Sequence, residues 1–179
     1  MTQVIREEDL AADGEPEKEF NPGIAGRLPR KTTAGGALIR DSIGRLLFLE
    51  TVYKPTLEIP GGVAELDESP LDACRREIRE EIGIDLDIRD VLVVDWIPAR
   101  GPWFDGVMFI FDGGVMSSEQ ADSIVLEASE ARRHHFLTLD EASDRLLPSM
   151  VRRLARAEES LRRGFPQYSE YGRGPTVQV

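Results

Sequence analysis

Residues 69–84 read SPLDACRREIREEIGI, a segment with a specified beginning and a specified end. Ser69 is an N-cap residue, Pro70 fits the first helical position because its missing N–H would have no partner there, and Asp72 stands at the capping-box position. Gly83 supplies the residue that ends a helix in the left-handed conformation. Between them Leu71, Cys74, Ile78 and Ile82 fall within about 80° on a wheel of 100° per residue, so one stripe faces a core. Glu77, Glu80 and Glu81 flank that stripe at i, i+3 and i+4, which stacks three carboxylates on one side of the helix. The chain already carries a net charge of −11, so this concentration of negative charge needs an explanation.

The flanking segments are sheet-forming. TTAGGALIR, the turn DSIGR and LLFLETV read as a hairpin, and LEIP as a short strand running into Gly61 and Gly62, so three strands precede the first helix. Downstream, IRDVLVVDWIP and GVMFIFD are strands joined by the loop ARGPWFDG, and IVLE and HHFLTL are two more. Thr138 with Glu141 starts a short helix. Pro148 to Arg163, closed by Gly164, forms a longer amphipathic one with Met150, Val151, Leu154 and Leu161 inward. The expected organisation is a flexible acidic arm over 1–28, one domain over 29–164 and a peripheral tail over 165–179, from which Tyr168 and Tyr171 can pack back.

Composition excludes several functions. The 179 residues contain no run of eighteen apolar positions, and the acidic N-terminus lacks the basic-then-apolar order of a signal peptide, so no membrane partner and a cytoplasmic location are expected. A charge of −11 opposes binding to a nucleic acid polymer, which depends on neutralising phosphates with Lys and Arg. A small phosphorylated molecule remains compatible if a cation mediates the contact. Cys74 is the only cysteine, which fits a reducing compartment. His134 and His135 are adjacent in a strand and point to opposite faces, so at most one can serve any site. The thiol therefore reads as core packing rather than a nucleophile.

Electrostatics alone leaves the glutamates open. On a solvated helix the Glu77/Glu81 pair costs a few tenths of a kcal/mol, and Arg76 with Glu80 makes an ordinary i,i+4 pair. At an effective dielectric near 20 and about 5.5 Å the same repulsion costs roughly 3 kcal/mol, so in a cleft a cation is demanded. The wider pattern decides between the two. From Gly62, five residues lead to Glu68 and seven more to Arg76-Glu77-Ile78-Arg79-Glu80-Glu81-Ile82-Gly83-Ile84. This resembles the G-x5-E-x7-R-E-U-x-E-E-x-G-U signature of the Nudix hydrolases, U being a bulky aliphatic, at every fixed position. Seven fixed identities coincide by chance at a given start about once in 10⁸.

The resemblance covers roughly Pro29 to Gly164 and implies the Nudix fold, an α+β chain with a mixed sheet between helices in an α/β/α sandwich. It also implies cleavage of a diphosphate joining a nucleoside to another moiety, by water attack on phosphorus with Mg²⁺ or Mn²⁺. By resemblance Glu77 and Glu81 are metal ligands, Glu80 joins them directly or through water, and the Gly61 carbonyl completes the shell. Arg76 would hold the glutamates in register and Glu68 would buttress the loop. Gly62 would answer a backbone demand at the loop turn and Gly83 another at the helix end. The general base would be Glu130 from a later loop or Glu77, with Glu127 a further alternative. Tyr53, Lys54, Trp96 and Trp103 are candidates for substrate contact, since a flat ring can stack on a base and an ammonium can reach a phosphate.

Subgroup markers are mostly missing. Arg100 to Pro102 stand where the dinucleoside polyphosphate group has its tyrosine, and Pro98 falls fourteen residues past Ile84, close to the proline of the ADP-ribose group. The expected substrate class is ADP-ribose or a similar nucleotide sugar. The alternatives are a nucleoside triphosphate pyrophosphohydrolase and a nucleotide-sensing module that no longer hydrolyses. A homodimer is compatible with all of them. Replacing Cys74 by Ser should keep the catalytic rate within a few-fold while costing about 1 kcal/mol of stability. Steady-state kinetics and a urea melt check this, and a hundredfold loss of rate with the fold intact would restore the nucleophile.

Overall fold

The computed structural model describes residues 7–12, 21–88 and 90–175, and divides into a unit over 1–30 and a unit over 31–179. In the first unit α1 spans Glu7–Ala12, a short helix in a stretch expected to lack periodicity, and Ile24 and Arg27 close turns on Asn21 and Ile24 respectively. The rest of the expected flexible arm lies outside the described residues.

In the second unit, strands β1 (Thr32–Arg40), β2 (Leu46–Thr51), β3 (Leu57–Glu58) and β4 (Gly61–Val63) precede helix α2 (Pro70–Ile82). Strands β5 (Val91–Ile97) and β6 (Gly106–Val115) follow, then α3 (Ser118–Asp122), β7 (Ala131–Leu137), α4 (Leu139–Ala142), α5 (Pro148–Arg163) and β8 (Gln167–Glu170). The sheet runs β3-β2-β1-β6-β5-β8, with β4 also on β1 and β7 also on β2. Two of its pairings are parallel, β1 with β6 and β5 with β8, so the sheet is mixed.

Alternation along β1 and β2 builds two cores. Leu38, Leu46 and Phe48 point to one face and join Leu92, Val93, Ile110, Met150 and Leu154 beneath α5. Ala37, Ile39, Leu47 and Leu49 point to the other and join Cys74, Ile78, Ile82, Ile88 and Phe111 beneath α2. Helices therefore cover both faces, the α/β/α sandwich that the sequence implies. In α2 the Ser69 hydroxyl accepts the Asp72 N–H at 3.1 Å, and the Asp72 carboxylate takes the hydroxyl proton rather than the N-cap amide. Gly83 closes the helix at φ 71°.

Three expectations are corrected. Four strands precede α2 because Gly61–Val63, read as a loop, pairs with Ala34 to Gly36 of β1. IVLE is not a strand: the Val125 and Glu127 amides donate to the Ile82 and Glu81 carbonyls, so this segment caps the end of α2. The region taken for a peripheral tail supplies β8, whose residues Gln167 to Glu170 pair with Val93 to Trp96.

A buried charge pair fixes that last strand. Asp95 is fully buried and Arg153, on α5, is 4% exposed. Arg153 donates through Nε and Nη2, both at 2.7 Å, to Asp95 Oδ2. Asp95 Oδ1 accepts the Ser169 hydroxyl and the Gly172 N–H. Removing one partner of such a pair leaves a charge buried without compensation. Asp95→Asn should therefore cost about 3–5 kcal/mol in a urea unfolding titration, and an unchanged midpoint would show that the pair does not hold β5, β8 and α5 together.

Candidate active site

The site is built where α2, β4 and the turn before β7 meet. Gly61 has φ 136°, a conformation that side chains rarely adopt, and its N–H donates to Glu81 Oε2 at 2.8 Å. At Gly62 a Cβ would lie 2.4 Å from the Glu77 carboxyl carbon. The demand at Gly62 is therefore space for a side chain from the facing helix, not the backbone turn expected from sequence. With both glycines in place the carboxylates of α2 lie against the β4 backbone.

Arg76 organises the approach. Its Nε and Nη2 donate to the two carboxylate oxygens of Glu68 at 2.9 and 3.0 Å, a bidentate pair. Nη1 donates to Glu77 at 2.9 Å and to Glu80 at 3.0 Å. Glu68 in turn accepts the Glu65 N–H at 2.8 Å, so the β4–α2 loop and the helix share one guanidinium. The pairing holds Glu68 below its ordinary carboxyl range and keeps Arg76 more firmly protonated than usual, chiefly through Glu68.

The three box glutamates have separate fates. Glu80 is exposed and its carboxylate turns toward Arg76. Glu77 and Glu81 converge instead with Glu130, each offering one carboxylate oxygen, all within 4.8 Å of one another. Glu81 is 5% exposed and, among the described residues, no ion pair reaches it. Burial, and then the charges of Glu77, Glu130 and Glu58, push its carboxyl up to about 8. Burial also raises Glu77, against the pull of Arg76. Three oxygens drawn together with too little positive charge form the donor set that a hard divalent cation takes. The residues present fit Mg²⁺ or Mn²⁺.

Glu130 is placed by main-chain bonds. Its N–H donates to the Glu127 carbonyl and its carbonyl accepts the Val52 N–H, both at 2.9 Å, which brings the turn before β7 to the end of β2. Glu127 points elsewhere and is occupied by Ser129, whose hydroxyl and amide both donate to it. Tyr53 is 62% exposed, and Glu81, Glu58 and Glu130 add to burial in raising its phenol, which puts it in the field of the cluster. Lys54 reaches Glu58 at 3.0 Å and lies 5.6 Å over the Tyr53 ring. Trp103 is 73% exposed in the loop before β6, where its backbone bridges to Arg100. Trp96 donates its indole N–H to Asp105 at 3.4 Å.

Sequence reasoning missed Glu58, which sits two residues before Pro60, adds to the negative field on Glu81 and holds Lys54. Its only signal is adjacency to the Pro60-Gly61-Gly62 turn.

The Nudix domain family matches this chain over residues 29–158, more than two thirds of its length. The chain belongs to the Nudix family. It is thereby a pyrophosphohydrolase acting on acid anhydrides in phosphorus-containing substrates. A MutT-like protein of Streptomyces ambofaciens is 29% identical over 132 residues, covering 74% of this chain and 76% of that protein. The crystal structure of a MutT protein from Methanosarcina mazei Go1 superposes with TM-score 0.60 at 22% identity, over 76% of this chain and 98% of the other. An ADP-ribose pyrophosphatase from Streptococcus suis 89-1591 gives TM-score 0.58 at 20% identity, over 79% and 99%. At these identities the two structures establish the Nudix fold.

The raised carboxyl of Glu81 has a thermodynamic consequence with a definite sign. A carboxyl whose folded pKa lies above its ordinary 4.5 keeps its proton longer in the native state, so its contribution is present below about 4.5 and lost as pH rises toward about 8. Metal-free protein should therefore lose stability across that window. Glu81→Gln keeps an oxygen for the Gly61 N–H and removes the charge, so it should stabilise the metal-free protein at pH 8 by about 1 kcal/mol or more. It should also shrink the stabilisation that Mg²⁺ gives the parent. Thermal melts of both proteins in chelator and in millimolar Mg²⁺ check both signs, and an equally Mg²⁺-responsive variant would remove Glu81 from the metal site.

Proposed function

We propose that this Nudix enzyme is an Mg²⁺-dependent hydrolase that cleaves the diphosphate linkage of a nucleoside diphosphate joined to another moiety, ADP-ribose or a similar nucleotide sugar being the leading class. The observation that carries the reading is the convergence of Glu77, Glu81 and Glu130 within 4.8 Å, with Glu81 buried and no cation paired to it among the described residues. A divalent ion bound there neutralises the diphosphate and stabilises charge at phosphorus during in-line displacement.

The chain's own residues have distinct tasks in this reading. Glu77 and Glu81 would be the principal ligands with the Gly61 carbonyl as a further one, and Glu80, turned to Arg76, would participate through water. Glu130 comes from a separate turn rather than from α2, which suits a base that orients the attacking water and takes its proton. Arg76 is a positioning residue: its four carboxylate bonds go to Glu68, Glu77 and Glu80, and among the described residues none goes to Glu81 or Glu130. Tyr53 at the rim can stack on a base, and Lys54 can leave Glu58 for a substrate phosphate. Trp103 offers a second exposed ring from the loop between β5 and β6.

The substrate class rests on two supports: Pro98 near the position of the ADP-ribose group's proline, and a fold shared with an ADP-ribose pyrophosphatase. Fold likeness extends equally to MutT proteins, and nucleoside triphosphate pyrophosphohydrolysis, the alternative raised from sequence, is the second reading. A buried, unpaired Cys74, its thiol pushed up to about 12 by burial, fits the cytoplasmic setting expected from sequence.

Purified protein incubated with Mg²⁺ and a panel of nucleotide sugars, dinucleoside polyphosphates and nucleoside triphosphates, with phosphatase-coupled phosphate release, tests the proposal. Hydrolysis should be fastest with a nucleotide sugar, rise from pH 6 toward 9 and vanish in excess chelator. Glu130→Gln should lose a hundredfold or more of the rate while keeping most of the Mg²⁺-induced gain in melting temperature. Full activity in chelator, or hydrolysis of triphosphates alone, would overturn the reading.

A further inference from the structure

A strongly basic groove lies on the other side of the sheet from α2, on an otherwise acidic chain. Arg152 and Arg156, one turn apart on α5, line it with Ala155 between them, and Gly172, Arg173 and Gly174 close its far wall. The groove holds about 500 Å³ and is open to solvent, a size within the range of small-molecule sites. Like charges at i,i+4 repel one another, so two arginines here, with a third brought from beyond β8, carry a local cost.

The three guanidinium groups are incompletely neutralised. Arg152 spends Nε and Nη2 on the Tyr171 carbonyl, at 3.2 and 3.0 Å, and stacks over the Tyr171 ring at 5.6 Å. Arg156 reaches Glu159 at 2.9 Å, but Glu159 also receives Arg163 at 3.2 Å. Arg173 is exposed, and among the described residues no carboxylate pairs with its side chain. Its main chain is fixed independently, by reciprocal bonds with Glu170 at 2.7 and 3.0 Å. One carboxylate, shared with a fourth arginine, thus faces three guanidinium groups. A Cβ on Gly174 would come within 2.5 Å of Arg156 Nη2, so the absence of a side chain there gives that guanidinium its place against the wall. The Asp95 anchor holds Gly172 by its N–H at 2.7 Å, which makes the far wall part of the folded core rather than a loose end.

We infer that this groove binds the phosphate group of a small phosphorylated molecule, at a site separate from the carboxylate cluster. Arginine forks match the oxygens of a phosphate, and Arg152 retains Nη1, Arg156 retains Nε and Nη2, and Arg173 its whole fork for that purpose. Charge selects the size of the ligand. An anionic bilayer or a long polyanion laid over the groove would also meet a surface contributing to the net −11, whereas a single phosphomonoester stays within reach of the three arginines. The volume exceeds that of a bare phosphate and leaves space for a nucleoside or sugar.

Titration calorimetry of the full chain with inorganic phosphate and with AMP, in chelator so that no divalent ion bridges the ligand to the glutamates, tests the inference. Saturable binding of both is expected, weakening at least fivefold in Arg173→Gln and at least tenfold in the Arg156→Gln, Arg173→Gln double variant. Glu81→Gln, which alters only the carboxylate cluster, should bind both as the parent does. If the double variant does not fold, Arg173→Gln alone decides, since the backbone bonds of that residue do not use its side chain. Absence of saturable binding to the parent, or equal affinity in Arg173→Gln, would overturn the site. Sedimentation of the parent with phosphatidylserine vesicles at 0.15 M salt, lost in Arg173→Gln, would overturn it in favour of a membrane surface.

Discussion

The distance between α2 and the sheet governs everything built above it. A Cβ on Gly35 of β1 would sit 1.9 Å from the Pro70 carbonyl oxygen, an overlap that no rotamer change relieves because the obstacle is backbone. The helix therefore rests directly on the strand at its first turn. In its last turn Glu81 reaches the Gly61 N–H, and Glu77 fills the space over Gly62. Widening this contact by the size of a methyl group would lift the carboxylates off β4 and away from Glu130, without altering a charged residue. Close packing of backbone on backbone sets the geometry that electrostatics then uses.

Within that geometry the surplus of negative charge is divided rather than cancelled. Arg76 collects Glu68, Glu80 and one oxygen of Glu77, which leaves the inner carboxylates short of a cation. Neutralising all of them with arginine would have made an inert ion-pair network; satisfying none would have made α2 hard to fold. The intermediate arrangement favours the protonated form of Glu81 when no metal is bound, and a cation at the cluster would favour its ionised form.

Much of this was readable in the sequence because it is local. The caps of α2, its apolar stripe and the i, i+3, i+4 glutamates follow from helical period alone, and Gly164 marks the end of α5 by the same logic. What failed to show was non-local. Gly61–Val63 is too short to register as a strand until β1 is placed beside it. Ile124 to Glu127 has the composition of a strand, yet its amides are taken by the end of α2. β8 carries Pro166 and Gly172 at its borders and reads as a tail; only its partner β5 and the Asp95 anchor make it part of the sheet. The helical wheel already sets Glu81 beside the apolar stripe and Glu80 nearly opposite it, and the bond from Arg76 completes their separation.

The parallel pairing of β1 with β6 bears on how the chain acquires its shape. Arg40 and Asp112, ion-paired across those strands, are 72 residues apart, and Glu50 and His135, joined across β2 and β7, are 85 apart. Closing loops of that length is slow compared with winding a well-capped helix. On this route α2 forms early with its glutamates solvated and far apart in energy from any cleft, and Glu130 arrives only when β7 docks on β2. The mutual repulsion of the cluster is thus met late, after most of the apolar surface is already buried to offset it, and a divalent cation present during folding acts on the last step and not the first.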